Sequence, residues 1–189
     1  IIPNLLDPQN DFASYVIFGA LSLGVFGVIE VLISQWYGPR LLRGVHGLKT
    51  NIEYFNEFET YWKNCSLILL LALVCIFIFS DVILRVGVDA RFLNLKTLFL
   101  YFICIDFLRV QIYFSYQIFN LLYVGKYILY SLLAALLFEI IYIAVFYNFE
   151  ASSLVGSMLS LIISFQIFFL GGLYLSYIHI KRHAQLKIY

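Results

Sequence analysis

Asp106, Arg109, Tyr113, Gln117 and Asn120 recur at helical spacing inside an otherwise apolar run. At 100° per residue they share an arc of about 80°. An ionisable group costs several kcal/mol in hydrocarbon, so such a stripe has to face protein or water. Two chemistries fit it. In one, Asp106 and Arg109 at i, i+3 neutralise each other while Gln117 and Asn120 hydrogen-bond neighbouring helices. In the other, the stripe lines a central cavity where Arg109 meets an anionic solute, because a guanidinium pairs bidentately with phosphate or carboxylate. An Asp beside the Arg then tunes its availability.

Other polar groups sit in apolar runs. Glu139 shares one helix face with Ser131, Ala135 and Tyr142, and a mid-span acid suits either a proton or sodium site or a hydrogen bond to a neighbouring Tyr or Arg. Glu30 falls about one turn from the end of its run, where snorkelling or pairing with Arg40 or Arg43 is expected. Ser153, Ser157, Ser160, Ser164 and Gly171 share a narrow face of small residues suited to close helix packing, and Gly171-Gly172 offers a place to bend. His179 and His183 have a metal-like i, i+4 spacing, but beside Lys181 and Arg182 and without a third ligand they read as a basic tail.

The elements that position these groups follow from composition. Of 189 residues, 63% are hydrophobic and 12% charged, against about a quarter charged in soluble domains. Fifteen Tyr and 19 Phe add the aromatic content of a bilayer protein. A span needs about 20 mostly apolar residues, and five stretches qualify: 12–34, 65–84, 97–124, 127–147 and 152–180. Turn signals separate them at Tyr37-Gly38-Pro39, Val86-Gly87-Val88-Asp89, Val124-Gly125-Lys126 and Tyr147-Asn148-Phe149-Glu150. The expected fold is an all-α polytopic transmembrane bundle of about five helices, in one domain over 1–189.

Lys and Arg placement sets an orientation. Arg40, Arg43, Lys49, Lys63, Lys126, Lys181, Arg182 and Lys187 fall on one side of the membrane, and Arg85, Arg91 and Lys96 on the other. The positive-inside rule then puts the N-terminus outside and the C-terminus in the cytoplasm. Between the first two spans, 46–63 carries Leu48, Ile52, Phe55, Phe58 and Trp62 within an arc of about 120°, which predicts an amphipathic connector lying in the cytoplasmic interface; Glu59 falls on the same arc. The start Ile1-Ile2-Pro3, with no Met and no basic flank, reads as a piece of a longer protein. Cys65, Cys75 and Cys104 have no CxxC spacing and read as small buried residues. There is no Walker A loop, no HExxH or GxSxG, no pore-loop signature and no basic face for nucleic acid, so no enzyme is expected.

The order of these features resembles the polysaccharide flippases of the multidrug/oligosaccharidyl-lipid/polysaccharide superfamily, the Wzx-type transporters of lipid-linked O-antigen repeats. The resemblance lies in the opening IIPNLLDPQNDFASYV, the helix from FASYVIFGAL to Gly38-Pro39-Arg40, the amphipathic connector, the turn ILRVGVDARF, the polar third helix and the LLYVGKY turn. It implies the C-terminal half of a twelve-helix transporter in a bacterial inner membrane, partnered by the bilayer and by the N-terminal half of the same protein. It implies alternating access for a lipid-linked oligosaccharide with an anionic pyrophosphate, and coupling to sodium or protons without a bound cofactor. Carried onto this chain, Arg109 is the cavity cation, Tyr113, Gln117 and Asn120 line the cavity, and Asp106 and Glu139 are the ion-coupling acids. Two alternatives stay open: a drug/cation antiporter of the same superfamily, whose cavity would favour acids over Arg, and a membrane-embedded glycosyltransferase or polymerase acting on the same lipid-linked sugars.

Overall fold

A computed structural model describes residues 8–47, 51–87, 96–121, 124–146 and 154–186. The described chain is five helices, α1 (Pro8–Gly47), α2 (Asn51–Gly87), α3 (Lys96–Leu121), α4 (Lys126–Phe146) and α5 (Leu154–Leu186). All five are long and apolar enough to cross a bilayer, over Val16–Pro39, Phe55–Gly87, Lys96–Gln117, Lys126–Ala144 and Leu159–His183. With no water in the bilayer core, a chain of this composition satisfies its backbone within helices.

The bundle is organised around α3, which packs on α1, α2 and α5 and touches α4 more lightly. Its buried row, Phe99, Ile103, Val110, Phe114 and Phe119, meets Phe18 and Phe26 of α1 and Phe58, Tyr61 and Leu69 of α2 in one continuous core. Rings lock the contacts edge-on: Phe26 lies 6.3 Å from Phe107, and Tyr61 lies 6.0 Å from Phe114. By contrast α4 leans on α5, and Leu129, Leu133, Leu137, Ile140 and Ile141 point outward. In lipid that outward face needs no cover, because acyl chains are as apolar as Leu.

The α4–α5 contact is made by small residues. A Cβ on Gly172 would stand 3.0 Å from the Ser131 Cβ and 3.2 Å from its Cα, so this glycine lets the two backbones approach. Gly171, which the sequence placed on the packing face, has open space where its side chain would be. The contact therefore runs through the neighbouring register, with Ser131 bonded to the Tyr127 carbonyl at 2.8 Å and within 3.2 Å of Ser176. Ser153 lies outside the described residues, as do the side chains of Ser157, Arg40 and Arg43.

Two expected boundaries move. The signal Tyr37-Gly38-Pro39 does not end the first helix, which passes through Pro39 to Gly47. Proline removes one N–H and strains the preceding turn, but within a membrane helix the remaining bonds carry the continuation. The 46–63 connector is not a separate interfacial helix either: residues from Asn51 onward are the first turns of α2, which continues unbroken through the second span. Its apolar arc packs on protein. Phe55 and Phe58 meet the Tyr177 ring of α5 at 5.7 and 5.8 Å, and Trp62 stacks on Tyr174 at 5.8 Å. Glu59, out of place on an interfacial face, accepts hydrogen bonds from Tyr177 Oη and Lys181 Nζ of α5. The turn at Val124-Gly125-Lys126 falls where the sequence put it: Val124 N–H donates to the Phe119 carbonyl at 2.9 Å and α4 starts at Lys126. The turn signals at 88–89 and 147–150 lie outside the described residues.

Candidate functional site between α1 and α3

Helix α3 is the least apolar of the five spans. Asp106 lies about 15 Å along its axis from Lys96, close to the middle of a bilayer core about 30 Å thick. Its side chain is 6% exposed, and its Oδ1 accepts from Arg109 Nε at 3.0 Å. The i, i+3 pairing read from the sequence is therefore made. Arg109 also reaches across the seam, donating from Nη1 to Glu30 Oε2 on α1 at 3.0 Å. Ser22, fully buried on α1, lies within hydrogen-bonding distance of Asp106 Oδ2 and 3.0 Å from the Phe102 carbonyl.

Glu30 was expected near a helix end, paired with Arg40 or Arg43. Because α1 continues through Pro39, Glu30 stands well inside the span Val16–Pro39, and its cation is Arg109. Hydropathy and turn signals along one chain register a helix end at Pro39, and they carry no information about which residue of another helix lies opposite. Ser22 stands eight residues before Glu30 on α1, and both reach α3.

The other members of the stripe divide among different neighbours. Gln117 Oε1 accepts from Tyr61 Oη of α2 at 3.4 Å. Tyr113 is half-buried among rings, 5.4 Å from Phe114 and 5.8 Å from Tyr116. Asn120 is exposed near the end of α3. Sequence reasoning passed over a second polar face of α3. There the buried Gln111 accepts from Ser66 of α2 at 2.9 Å, and Ser115 accepts from Trp62 Nε1 at 3.0 Å while donating to the Gln111 carbonyl at 2.7 Å. The signal was present as two i, i+4 pairs, Gln111/Ser115 and Trp62/Ser66, one on each helix. These bonds satisfy polar side chains between packed helices.

On α4, Glu139 is half-buried and accepts from the Ser164 hydroxyl of α5, at 2.9 Å to Oε2 and 3.2 Å to Oε1. It stands apart from the α1–α3 seam, so the two acids expected to couple ions belong to two separate helix interfaces.

The α1–α3 seam can do three things chemically. It can hold an ion pair away from lipid, since each carboxylate has a hydrogen-bonded donor and the guanidinium is bridged between them. It can present the unused N–H groups of Arg109, whose side chain is 38% exposed, to an oxyanion. It can exchange a cation, because two carboxylates face one guanidinium. No protein-family model, no curated protein and no solved structure matches the chain, so the seam is read from its own geometry.

Proposed function

We propose that this chain is membrane-embedded transporter machinery and that its cargo is a lipid-linked oligosaccharide, moved across the cytoplasmic membrane by alternating access. The reading rests on one observation: an arginine at mid-span, bridged to acids from two helices and still 38% exposed. A fully satisfied structural ion pair has no need of exposure in hydrocarbon. An arginine side chain exposed to that extent at that depth needs an aqueous or anionic neighbour, and a pyrophosphate group supplies one through bidentate hydrogen bonds. Cargo binding then competes with Glu30 for Arg109. Releasing that acid loosens the seam between α1 and α3, which links cargo occupancy to helix arrangement.

The test is Arg109→Ala and Arg109→Lys in the intact protein, reconstituted in vesicles with a fluorescent lipid pyrophosphate oligosaccharide. Arg109→Ala is expected to abolish translocation, and Arg109→Lys, which keeps charge but loses the fork, to reduce it at least tenfold. Translocation at the wild-type rate by correctly folded Arg109→Ala protein removes Arg109 from the mechanism. One observation favours a second reading, a drug/cation antiporter: the seam carries two acids for one base. Uptake of a lipophilic cation that depends on Glu30, with no oligosaccharide movement, would decide for it.

A further inference from the structure

Lys126, Tyr130, Ala134 and Phe138 follow one another at i, i+4 along α4, and all four are exposed. On α5 the exposed residues Gly171, Leu175, His179 and Arg182 form a second row, running the other way. Ring contacts hold the two helices together at both ends of these rows: Tyr127 lies 6.1 Å from His179, and Phe138 stacks on Phe168 at 5.1 Å. Between those contacts the rows carry Ala134 and Gly171, and a Cβ on Gly171 would meet nothing within 4 Å. Small residues set between bulky ones leave a groove along this flank of the seam.

The groove is charged at one end. Lys126 begins the span of α4 and Arg182 stands one residue before the end of the span of α5, so both cations sit at the edge of the hydrocarbon, level with lipid phosphates. Neither is paired with a carboxylate among the described residues. Lys126 Nζ has the Tyr127 ring at 5.4 Å, whereas Lys181, next to Arg182, is taken by Glu59. His179 and His183, with ring centroids 4.4 Å apart, add imidazole N–H donors on the α5 side. Toward mid-span, the Phe138–Phe168 stack closes the seam about 18 Å along α4 from Lys126. One leaflet is about 15 Å deep, so the stack stands near the level where an acyl chain ends.

We infer that this flank of α4 and α5 seats one anionic phospholipid, its phosphate between Lys126 and Arg182 and one acyl chain along Ala134 and Gly171 as far as the Phe138–Phe168 stack. His179 donates to the phosphate from the α5 side. A zwitterionic lipid brings its own ammonium to the two cations, which offsets the attraction of its phosphate. A soluble phosphate makes the same ionic contacts and none with the exposed Tyr130 and Leu175. The outward rows elsewhere on α4 meet lipid too, but without an unpaired cation at the head-group level. Bound here, the lipid fastens the start of α4 to the end of α5, which no ion pair joins among the described residues. The seat is separate from Arg109 at the α1–α3 seam, and it stands whether or not the cargo is an oligosaccharide.

Native mass spectrometry of the intact protein in detergent, titrated with dioleoylphosphatidylglycerol or dioleoylphosphatidylcholine, reads the affinity for each lipid. Phosphatidylglycerol is expected to bind the more tightly. Lys126→Gln combined with Arg182→Gln is expected to weaken it about 25-fold, about fivefold for each charge, with phosphatidylcholine unchanged. Arg85→Gln removes an exposed cation near the far end of α2 and is expected to leave both affinities alone. Equal affinity for the two lipids, no loss in the double variant, or a matching loss per charge in Arg85→Gln overturns the site. Should the double variant fail to fold, Gly171→Leu keeps both cations and fills the groove. It is expected to weaken phosphatidylglycerol binding, and an unchanged affinity overturns the seat. Displacement of the lipid by glycerol phosphate at equal concentration marks a site for free phosphate, and overturns it as well.

Discussion

The seams α1–α3 and α4–α5 each hold an acid near mid-span against a serine of the facing helix, and they differ in what else is present. Asp106 meets Ser22 in a nearly sealed position, with a guanidinium 3.0 Å away and a second carboxylate behind it. Glu139 meets Ser164, whose hydroxyl also lies 2.9 Å from the Leu161 carbonyl, and among the described residues no cation is paired with it. The Asp106 carboxylate has a cation set against it, whereas Glu139 has a hydroxyl. Charge chemistry is thus concentrated on α3, the helix the others surround, while α4–α5 is joined mainly by shape.

If that division is right, cutting the guanidinium costs most. Arg109→Ala leaves Glu30 without its cation, and should destabilise the protein by about 3 kcal/mol, the lower end for a broken buried pair because Arg109 is partly exposed. Reversible unfolding in mixed micelles measures it; a loss under 1 kcal/mol would reduce the seam to a surface contact. Next comes the shape-dependent seam. Gly172→Ala pushes a methyl against Ser131 backbone and should cost about 1–3 kcal/mol, whereas Gly171→Ala, with open space, should be neutral. Equal costs would show that α4 does not rest on α5 through this register. Ser164→Ala removes one interhelical hydrogen bond and should cost about 0.6 kcal/mol. Tyr61→Phe, which gives up a long bond of 3.4 Å to Gln117, should cost still less, about 0.3 kcal/mol. A value for Tyr61→Phe above that of Arg109→Ala would move the polar centre of α3 from the α1 side to the α2 side.

Much of the fold could be read from residue order because hydropathy measures the solvent directly. Five apolar runs gave five helices, and a Gly between two of them gave the turn at Val124-Gly125. Helix ends were less legible. Pro39 and the polar residues of 46–63 have the look of a break, yet packing of Phe55, Phe58 and Trp62 against α5 keeps the chain helical from Asn51. At the candidate site, the Asp106–Arg109 pair is local and could be found by counting. Glu30 and Ser22 join it across about 80 residues of chain, through a helix crossing that no local pattern encodes. Gln111 and Ser115 form a second, shorter polar face on α3, and their partners Trp62 and Ser66 lie on α2, 53 and 45 residues away along the chain.

The unbroken course of α2 has a mechanical consequence. Thirty-seven residues form a rod of about 55 Å, well beyond the apolar core it crosses. In its first half Glu59 fastens it to Lys181 and Tyr177, and Trp62 and Ser66 rest on α3. A body held in its first half and longer than its bearing acts as a lever. A tilt of about 10° about Ser66 carries the far end at Gly87, roughly 30 Å away, through about 5 Å, so a change no larger than one ionic contact inside the membrane can be felt at its surface.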